Sequence, residues 1–490
     1  MTKRFTTLSL LMAMLCALAA CGGESGSVDT TASSDDVTTT VEETEPVINW
    51  ESSGLPKKDY GGREFNILHG TIETNRPWKE LAPESEVGDV LNDAIFQRTR
   101  KIEELYHIKV NVHQIAQGDY QTQLRKAVDA GDNAYDITHY QIIRQLPLAQ
   151  EGYFLDWFDM PYTDTTAVWW DQSVNAQLTF GDNLYTMVGD VSPLANSVVY
   201  SLVFNKDMCT DLKLEMPYQY VLDGKWTIDR FNEYISKANH DVNGDSKMDF
   251  ADRWGFFSQK GNAVFMYFSG GGRVTQMNDK GELELIMNSE KNIEMAIKAL
   301  STSIDASKTL FADQYVADNG GNWSAASSWF ANGGALFRAS SLEPVPRDYR
   351  SLDVNFGVIP FPKLDEQQKE HYTLASEFSS VWSVPVTADA EYVSLIMEAL
   401  SAESVSTVTP AFYDKVLKGK ALRDDESAAM LDILFKNKVF DPVHILNIGG
   451  FTGQLRSLET NQSTDVASAF KSIESSLSSA LNEIIGELSA

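Results

Sequence analysis

The chain has 490 residues, and its 69 Asp and Glu outnumber its 40 Lys and Arg to give a formal net charge of −29. This balance excludes nucleic acid as a partner, because a polyanion is repelled and no Lys/Arg cluster offsets the charge locally. A chain of this length is also too long for one hydrophobic core, so the length predicts two lobes.

The N-terminus has the pattern of an export signal. Lys3 and Arg4 precede a 13-residue run at 8–20 that is apolar apart from one serine and too short to span a bilayer. We therefore predict a signal peptide over 1–20. The run ends in "LAAC", which resembles the bacterial lipobox, and this resemblance predicts that Cys21 is lipidated after cleavage. An ordinary signal peptide followed by a chance cysteine is the alternative.

The next segment is rich in Gly, Ser, Thr and acidic residues and has almost nothing to bury. Such a composition does not offset the entropy of ordering, so 21–47 is predicted to be a lipidated, disordered tether. A flexible coil of this length reaches roughly 25–30 Å. Beyond the tether the sequence holds one cysteine, Cys209, so no intrachain disulfide is expected.

The first part of the globular body alternates strand and helix patterns. Strands are predicted at 63–70, 108–115 and 135–140, and amphipathic helices at 88–108, 120–131 and 142–152. This order predicts a parallel, right-handed α/β sheet. Ligands of such sheets bind at the carboxyl ends of the strands, which here are His69, Gly70, the loop to Trp78, and Tyr140.

A later segment, "DVNGDSKMDFAD" at 241–252, has nearly the spacing of an EF-hand calcium loop. Position 6 is Ser246 instead of glycine, and the predicted helix at 224–240 enters the loop without a second amphipathic helix leaving it. A sensor needs two helices that change their angle, so we predict a structural Ca²⁺ site. A solvated acidic turn without metal is the alternative. The predicted ligands are Asp241, Asn243, Asp245, the carbonyl of Lys247, Asp249 through water, and Asp252.

Further motifs occur in a fixed order along the chain: "GDNLYTMVGD", "LVFNKDM", "GKWTIDRFNEYI", "WFANGGALF", "FGVIPFPK" and "VWSVP". Together with the lipobox and the acidic tether, this ordered set resembles the extracellular solute-binding proteins of ABC importers. The closest subgroup is the maltose-binding-like family 1 of Gram-positive lipoprotein type. The resemblance covers nearly the whole mature chain, and no single motif carries it.

The resemblance implies an α/β fold of the two-lobed, type II periplasmic-binding-protein kind. Each lobe would hold a mainly parallel sheet flanked by helices, and a multi-crossing hinge would join the lobes. The N-lobe is then predicted to comprise 48–198 and 358–402, and the C-lobe 199–357 and 403–490. The resemblance also implies a monomer, an ABC permease as partner, and a lipid-anchored position on the outer face of a bacterial cell membrane.

Aromatic and polar side chains are the positive sign of a binding site. An aromatic ring covers the flat C–H face of a sugar, while carboxylate, amide and guanidinium groups satisfy its hydroxyls. Each candidate could instead pack in a core or carry a structural charge. The candidate ligand-binding residues are Trp78, Tyr140, Trp169, Trp170, Asp171, Trp323, Arg338, Glu377 and Trp382.

The sequence shows no catalytic pattern. Its seven histidines form no H-x-x-H or H-x-x-x-H pair, and it contains no G-x-S-x-G elbow and no Walker loop. We therefore expect a binding protein that captures a small solute, favouring an oligosaccharide or sugar, and no enzyme. A lipid-anchored glycan hydrolase and a surface sensory or adhesive ectodomain are the alternatives. Peptide, amino-sugar and polyol ligands stay open.

Overall fold

The structure is a computed structural model, and it describes residues 47–71, 81–192, 198–277, 283–318, 320–342, 354–414, 417 and 425–489. The predicted signal peptide, residues 21–46 of the predicted tether with Cys21, and the candidate Trp78 lie outside this part. Within it, no helix combines the length and the apolar character needed to cross a membrane.

The strands form two main sheets. The first has the order β12-β3-β1-β2, with β1 parallel to β2 and β3, and β12 antiparallel to β3. The second has the order β10-β4-β9-β5-β8 and is mixed, because β5 is parallel to its neighbours whereas β4 is antiparallel to β9 and β10. The strands are β1 (Arg63–Thr71), β2 (Ile108–Ala116), β3 (Ile137–Gln141), β4 (Tyr200–Asn205), β5 (Trp254–Ser258), β6 (Thr275–Met277), β7 (Leu283–Leu285), β8 (Thr309–Phe311), β9 (Ala335–Ser341), β10 (Phe356–Ile359), β11 (Thr373–Leu374), β12 (Ser380–Ser383) and β13 (Lys438–Val439).

Helices cover the sheets and follow most of the strands. They are α1 (Val90–Tyr106), α2 (Tyr120–Asp129), α3 (Ile142–Gln150), α4 (Gln172–Gln177), α5 (Lys206–Asp211), α6 (Tyr218–Leu222), α7 (Ile228–Ala238), α8 (Asn262–Ser269), α9 (Glu290–Ile304), α10 (Ala312–Asp318), α11 (Trp323–Trp329), α12 (Ala390–Ser406), α13 (Val408–Pro410), α14 (Asp425–Lys436), α15 (Pro442–Ile445), α16 (Phe451–Thr460) and α17 (Val466–Leu488). The predicted strands and helices between 63 and 152 are confirmed within two residues at each end.

Local chemistry sets these boundaries. Helix α1 begins where the Asp89 carboxylate accepts from the N–H groups of Leu91 and Asn92, and it ends at His107, whose φ of 49° is left-handed. The predicted helix at 224–240 is α7, which Thr227 caps. Its buried face packs on the second sheet, as its helical spacing of apolar residues predicts.

Two clusters of buried apolar side chains form the core. The first surrounds the first main sheet and also includes one set of residues from the second sheet, such as Val203 and Phe257, whereas the second cluster contains the other set. The first is centred on residues such as Ile67, Tyr140 and Ile396, and the second on Phe231, Phe256 and Phe337. Cys209 lies in the second cluster, where burial raises the pKa of its thiol to about 12, so it is an unreactive core residue.

The chain passes between the sheets more than once. It enters the second sheet at β4, stays there through β10, and returns to the first sheet at β12. Residues 358 and 359, assigned from the sequence to the first lobe, pair with β4 in the second sheet. The segment after β10 also stays with the second half, because the Trp226 indole donates to the Pro360 carbonyl at 3.1 Å. The return therefore falls nearer to residue 375.

Candidate functional site

The segment 375–379, here called the joining segment, lies between the two sheets. Its Ala375 forms an antiparallel bridge with Val199 at the entry to β4. At its other end, the Ser379 carbonyl accepts from the Ile142 N–H at the start of α3, at 2.8 Å. The joining segment is thus hydrogen-bonded to both halves of the body, and its side chains lie at their boundary.

A charged group occupies the middle of the joining segment. The Glu377 carboxylate is 3.6 Å from Nε2 of the buried His444 and 3.5 Å from Nη2 of Arg456. Burial by itself raises the pKa of Glu377, but His444 and Arg456 oppose it and bring the pKa down to about 2. The next residue, Phe378, is 39% exposed. The boundary therefore holds a buried, ionised carboxylate paired with a partly exposed guanidinium, and the next residue in the chain carries an accessible aromatic ring.

The carboxyl ends of β1 and β3 hold a buried aromatic stack. The rings of His69 and His139 are 5.3 Å apart at an interplanar angle of 24°, and the Trp382 ring lies 4.2 Å from that of His139. Burial lowers the pKa of His69 to about 4 and that of His139 well below its usual value, so both imidazoles are neutral at pH 7. Tyr140 is also buried and packs on Tyr120, with ring centroids 4.4 Å apart. Both Tyr140 and Trp382 are core residues in this structure.

The predicted tryptophan pair is bound to helix α12. The Nε1 groups of Trp169 and Trp170 each donate to the Glu398 carboxylate at 2.7 Å. The Asp164 N–H donates to the same carboxylate at 3.1 Å. Trp170 is 2% exposed, so its ring has no free face for a ligand, whereas Trp169 is partly buried.

Asp171, the polar candidate that directly follows the tryptophan pair, has a structural role. Asp171 caps α4 by accepting from the Val174 N–H at 3.0 Å, and it also forms an ion pair with Nζ of the buried Lys438. Because one oxygen caps the helix and the other pairs with Lys438, Asp171 has a structural role in this structure.

Two candidates lie together in the second half. Trp323 begins α11 and is 43% exposed, while Arg338 on β9 donates to Oγ of Ser327 on the same helix at 2.7 Å. Arg338 is buried, so it anchors α11 instead of facing solvent. Of the described aromatic candidates, Trp323 has the largest exposed surface.

Sequence reasoning missed three residues that the structure places around Glu377. Nothing in the sequence indicated Phe378 except its position next to Glu377, a predicted ligand-binding residue. His444 and Arg456 come from the last part of the chain, and Arg456 lies 79 residues from Glu377. A contact this distant in sequence leaves no local pattern, so only the fold reveals the group.

The loop 241–252 is a hydrogen-bonded turn between α7 and β5. Asp241 accepts from the N–H groups of Gly244 and Ser246, at 2.7 and 2.8 Å, and Asp252 accepts from those of Val242 and Asp249. Ser246 adopts a left-handed φ of 65°, the conformation that glycine supplies at position 6 of an EF-hand loop. Among the described residues, no three His, Cys, Asp or Glu side chains are grouped as a metal site. As predicted, no helix leaves the loop within the described residues, and strand β5 follows it.

Calcium binding by this loop stays a prediction. Titrating Ca²⁺ into chelated protein should raise its thermal stability by about 1–3 kcal/mol at 10 mM, if the affinity is that of extracellular calcium modules. A D241A/D245A variant should lose this rise, whereas D132A, which removes an exposed carboxylate elsewhere, should keep it. An equal response of all three proteins, or none from the wild type, would contradict the prediction.

Comparisons with known proteins agree with this architecture. The profile described as "Bacterial extracellular solute-binding protein" matches residues 76–393. The ABC substrate-binding protein Lmo0181 from Listeria monocytogenes, solved with cycloalternan, is 16% identical with a TM-score of 0.54, covering 86% of this chain and 99% of its own. RafE from Streptococcus pneumoniae, solved without ligand, is 13% identical with a TM-score of 0.55. The match covers 86% of this chain and 98% of RafE. The maltose-binding protein MalE from Listeria monocytogenes, solved with maltose, is 14% identical with a TM-score of 0.52. The match covers 87% of this chain and 98% of MalE. Curated proteins give no match.

Proposed function

The chain belongs to the bacterial extracellular solute-binding protein family, and we propose that it captures an oligosaccharide between its two lobes and delivers it to an ABC permease. The family is exported, and its members bind solutes instead of transforming them. Two of the similar structures carry saccharides, cycloalternan and maltose, which supports a carbohydrate as the ligand class here. The permease is implied by the family.

The joining segment is the observation that supports capture between lobes most directly. It is hydrogen-bonded to both halves of the body and carries the exposed side chain of Phe378, next in sequence to the ionised Glu377. The exposed Phe378 ring suits the apolar face of a sugar, and the partly exposed Arg456 guanidinium suits its hydroxyl rim. A ligand held there contacts both lobes only when they approach, so binding shifts the equilibrium toward the closed form.

We further propose that lipid on Cys21 and the segment 21–47 hold this binding body at the outer face of the membrane. The support is the "LAAC" sequence after an apolar run and the acidic composition that follows it. The extracellular family is in line with export. Radiolabelled fatty acid should appear in the wild-type protein and be absent from C21S, and a labelled C21S protein would contradict the anchor.

A ligand screen tests the carbohydrate assignment. Residues 48–490 are titrated with mono- and oligosaccharides, with short peptides as controls, and unfolding is followed by temperature. A bound sugar at 100 times its Kd should stabilise the protein by about 2.7 kcal/mol. Stabilisation by peptides alone would contradict the carbohydrate assignment. Release of smaller sugars from an oligosaccharide would instead support the glycan hydrolase.

A further inference from the structure

A cavity of about 330 Å³ lies beside the start of the joining segment. The Val439 carbonyl, on the cavity wall, accepts from the Ala375 N–H at 3.0 Å. Its walls come from the end of α4, from β6 and β7, from the loop before α15, and from the C-terminal helix α17. This volume is within the range of small-molecule sites, which is about 300–1,000 Å³. None of the candidate ligand residues from the sequence lines it. Phe180 on its wall belongs to the first hydrophobic cluster and Leu481 to the second.

Arg273 supplies a fixed guanidinium to this cavity. Its Nη1 donates to the carbonyls of Phe268 and Gly272 at 2.9 and 2.7 Å, and its Cζ lies 4.4 Å from the Tyr372 ring centroid. Its Nε and Nη2 have no hydrogen-bond acceptor among the residues that the structure describes. These two donors point to the same side of the guanidinium and together match a carboxylate.

The same pair of donors binds a carboxylate elsewhere in this chain. Arg125 uses Nε and Nη2 to hold the two oxygens of Glu151, both at 2.6 Å. The comparison shows that the corresponding donor pair on Arg273 can bind a carboxylate. Because Nη1 and the ring of Tyr372 already hold the Arg273 side chain, little rotamer entropy is left to lose when an anion binds.

Asp441 supplies the opposite charge. It lines the same cavity, is 9% exposed, and caps α15 by accepting from the His444 N–H at 3.1 Å through Oδ1. The Val443 backbone N–H also interacts with this carboxylate, whose two oxygens can accept further hydrogen bonds. Burial raises the pKa of Asp441, although the backbone hydrogen bond from His444 and, more weakly, the charge of Arg273 oppose that rise. The cavity thus combines one cation and one anion, each with hydrogen-bonding capacity left over.

We propose that this cavity binds a small zwitterion with an apolar body, of which an apolar α-amino acid is the simplest example. The ligand carboxylate pairs with Nε and Nη2 of Arg273, and its ammonium pairs with the Asp441 carboxylate. The apolar side chain lies against Leu481 and Ile485 of α17. A zwitterion matches both charges and adds no net charge to the cavity, which lowers the cost of burying it.

Isothermal titration calorimetry of residues 48–490 with L-leucine tests this proposal. Saturable binding of one leucine per chain is expected. L-Leucinamide lacks the carboxylate and 4-methylpentanoate lacks the ammonium, so each should bind about 10-fold more weakly or worse. Equal binding of all three compounds, or no binding of leucine, phenylalanine or valine at about 10 mM, would overturn the proposal.

A matched pair of variants locates the site. D441N keeps the helix cap, since Asn caps as well as Asp, but removes the charge, so leucine should bind about 10-fold more weakly. The affinity of D441N for 4-methylpentanoate should stay the same or rise, because this compound has no ammonium group. A general loss of structure would instead weaken the binding of both compounds. The control D465N alters the cap of α17 outside the cavity and should bind leucine as the wild type does. Unchanged leucine affinity in D441N would overturn the assignment to this cavity.

Discussion

Replacing Glu398 by alanine should lower the free energy of unfolding by about 3–5 kcal/mol, one of the largest effects of any single polar substitution here. The carboxylate accepts from the indole N–H groups of Trp169 and Trp170 and from the Asp164 backbone. Its removal leaves these donors unpaired, one of them on a fully buried ring. Urea unfolding measures the loss.

Glu391 on the same helix is the matched control. It is exposed and pairs with Lys58 at 2.6 Å, so E391A should cost less than about 1 kcal/mol. If E398A were as stable as E391A, the carboxylate would not be holding the tryptophan pair.

The pH dependence of the free energy of unfolding is a second test of the role of Glu398. Burial raises its pKa to about 7, above the usual 4.5, so between these values the folded protein keeps a proton that the unfolded chain releases. The contribution of Glu398 to stability is therefore full below pH 4.5 and declines as the pH rises through 7. The stability of E398Q should fall less than that of the wild type between pH 5 and 8. An identical pH profile for the two proteins would contradict the raised pKa.

Gly255→Ala should destabilise the second sheet by about 3 kcal/mol or more. Gly255 lies in β5 directly under α7, and a Cβ at this position would be 2.0 Å from the Ile235 carbonyl oxygen. That atom is backbone inside a helix, so it cannot move aside as the end of a flexible side chain can. Thermal unfolding, with soluble yield as a supporting measure, should show the loss.

Gly486→Ala is the control for this substitution. Gly486 lies in α17 with no atom within 4 Å of an added Cβ, so alanine should be neutral or stabilise by up to about 1 kcal/mol. Equal stability of the two variants would show that α7 does not lie against β5 as described.

The regular elements could be predicted because their signals are local. The apolar spacing of α1 and the alternation in β2 depend on residues a few positions apart, and their observed ends differ from the predicted ones by at most two residues. The pattern after the 241–252 loop likewise predicted correctly that no helix follows.

The candidate site was harder to predict, because burial depends on distant partners. Trp170 looks like a loop aromatic in the sequence, yet its acceptor Glu398 lies 228 residues further along the chain. Arg456 could not be assigned to the group around Glu377 for the same reason, because the two residues are far apart in the sequence. The lobe boundary at 358 fell inside β10 because a short buried strand gives no sign of which sheet it joins.

The central claim is that a sugar draws the two lobes together. Spin labels on E104C in α1 and K291C in α9, two exposed positions on opposite halves, report the distance between the lobes. The native Cys209 is buried with a raised thiol pKa, so it should not take up label. Pulsed dipolar spectroscopy with a stabilising oligosaccharide should show a shorter label distance than without it. Binding of the sugar with an unchanged distance would contradict the account.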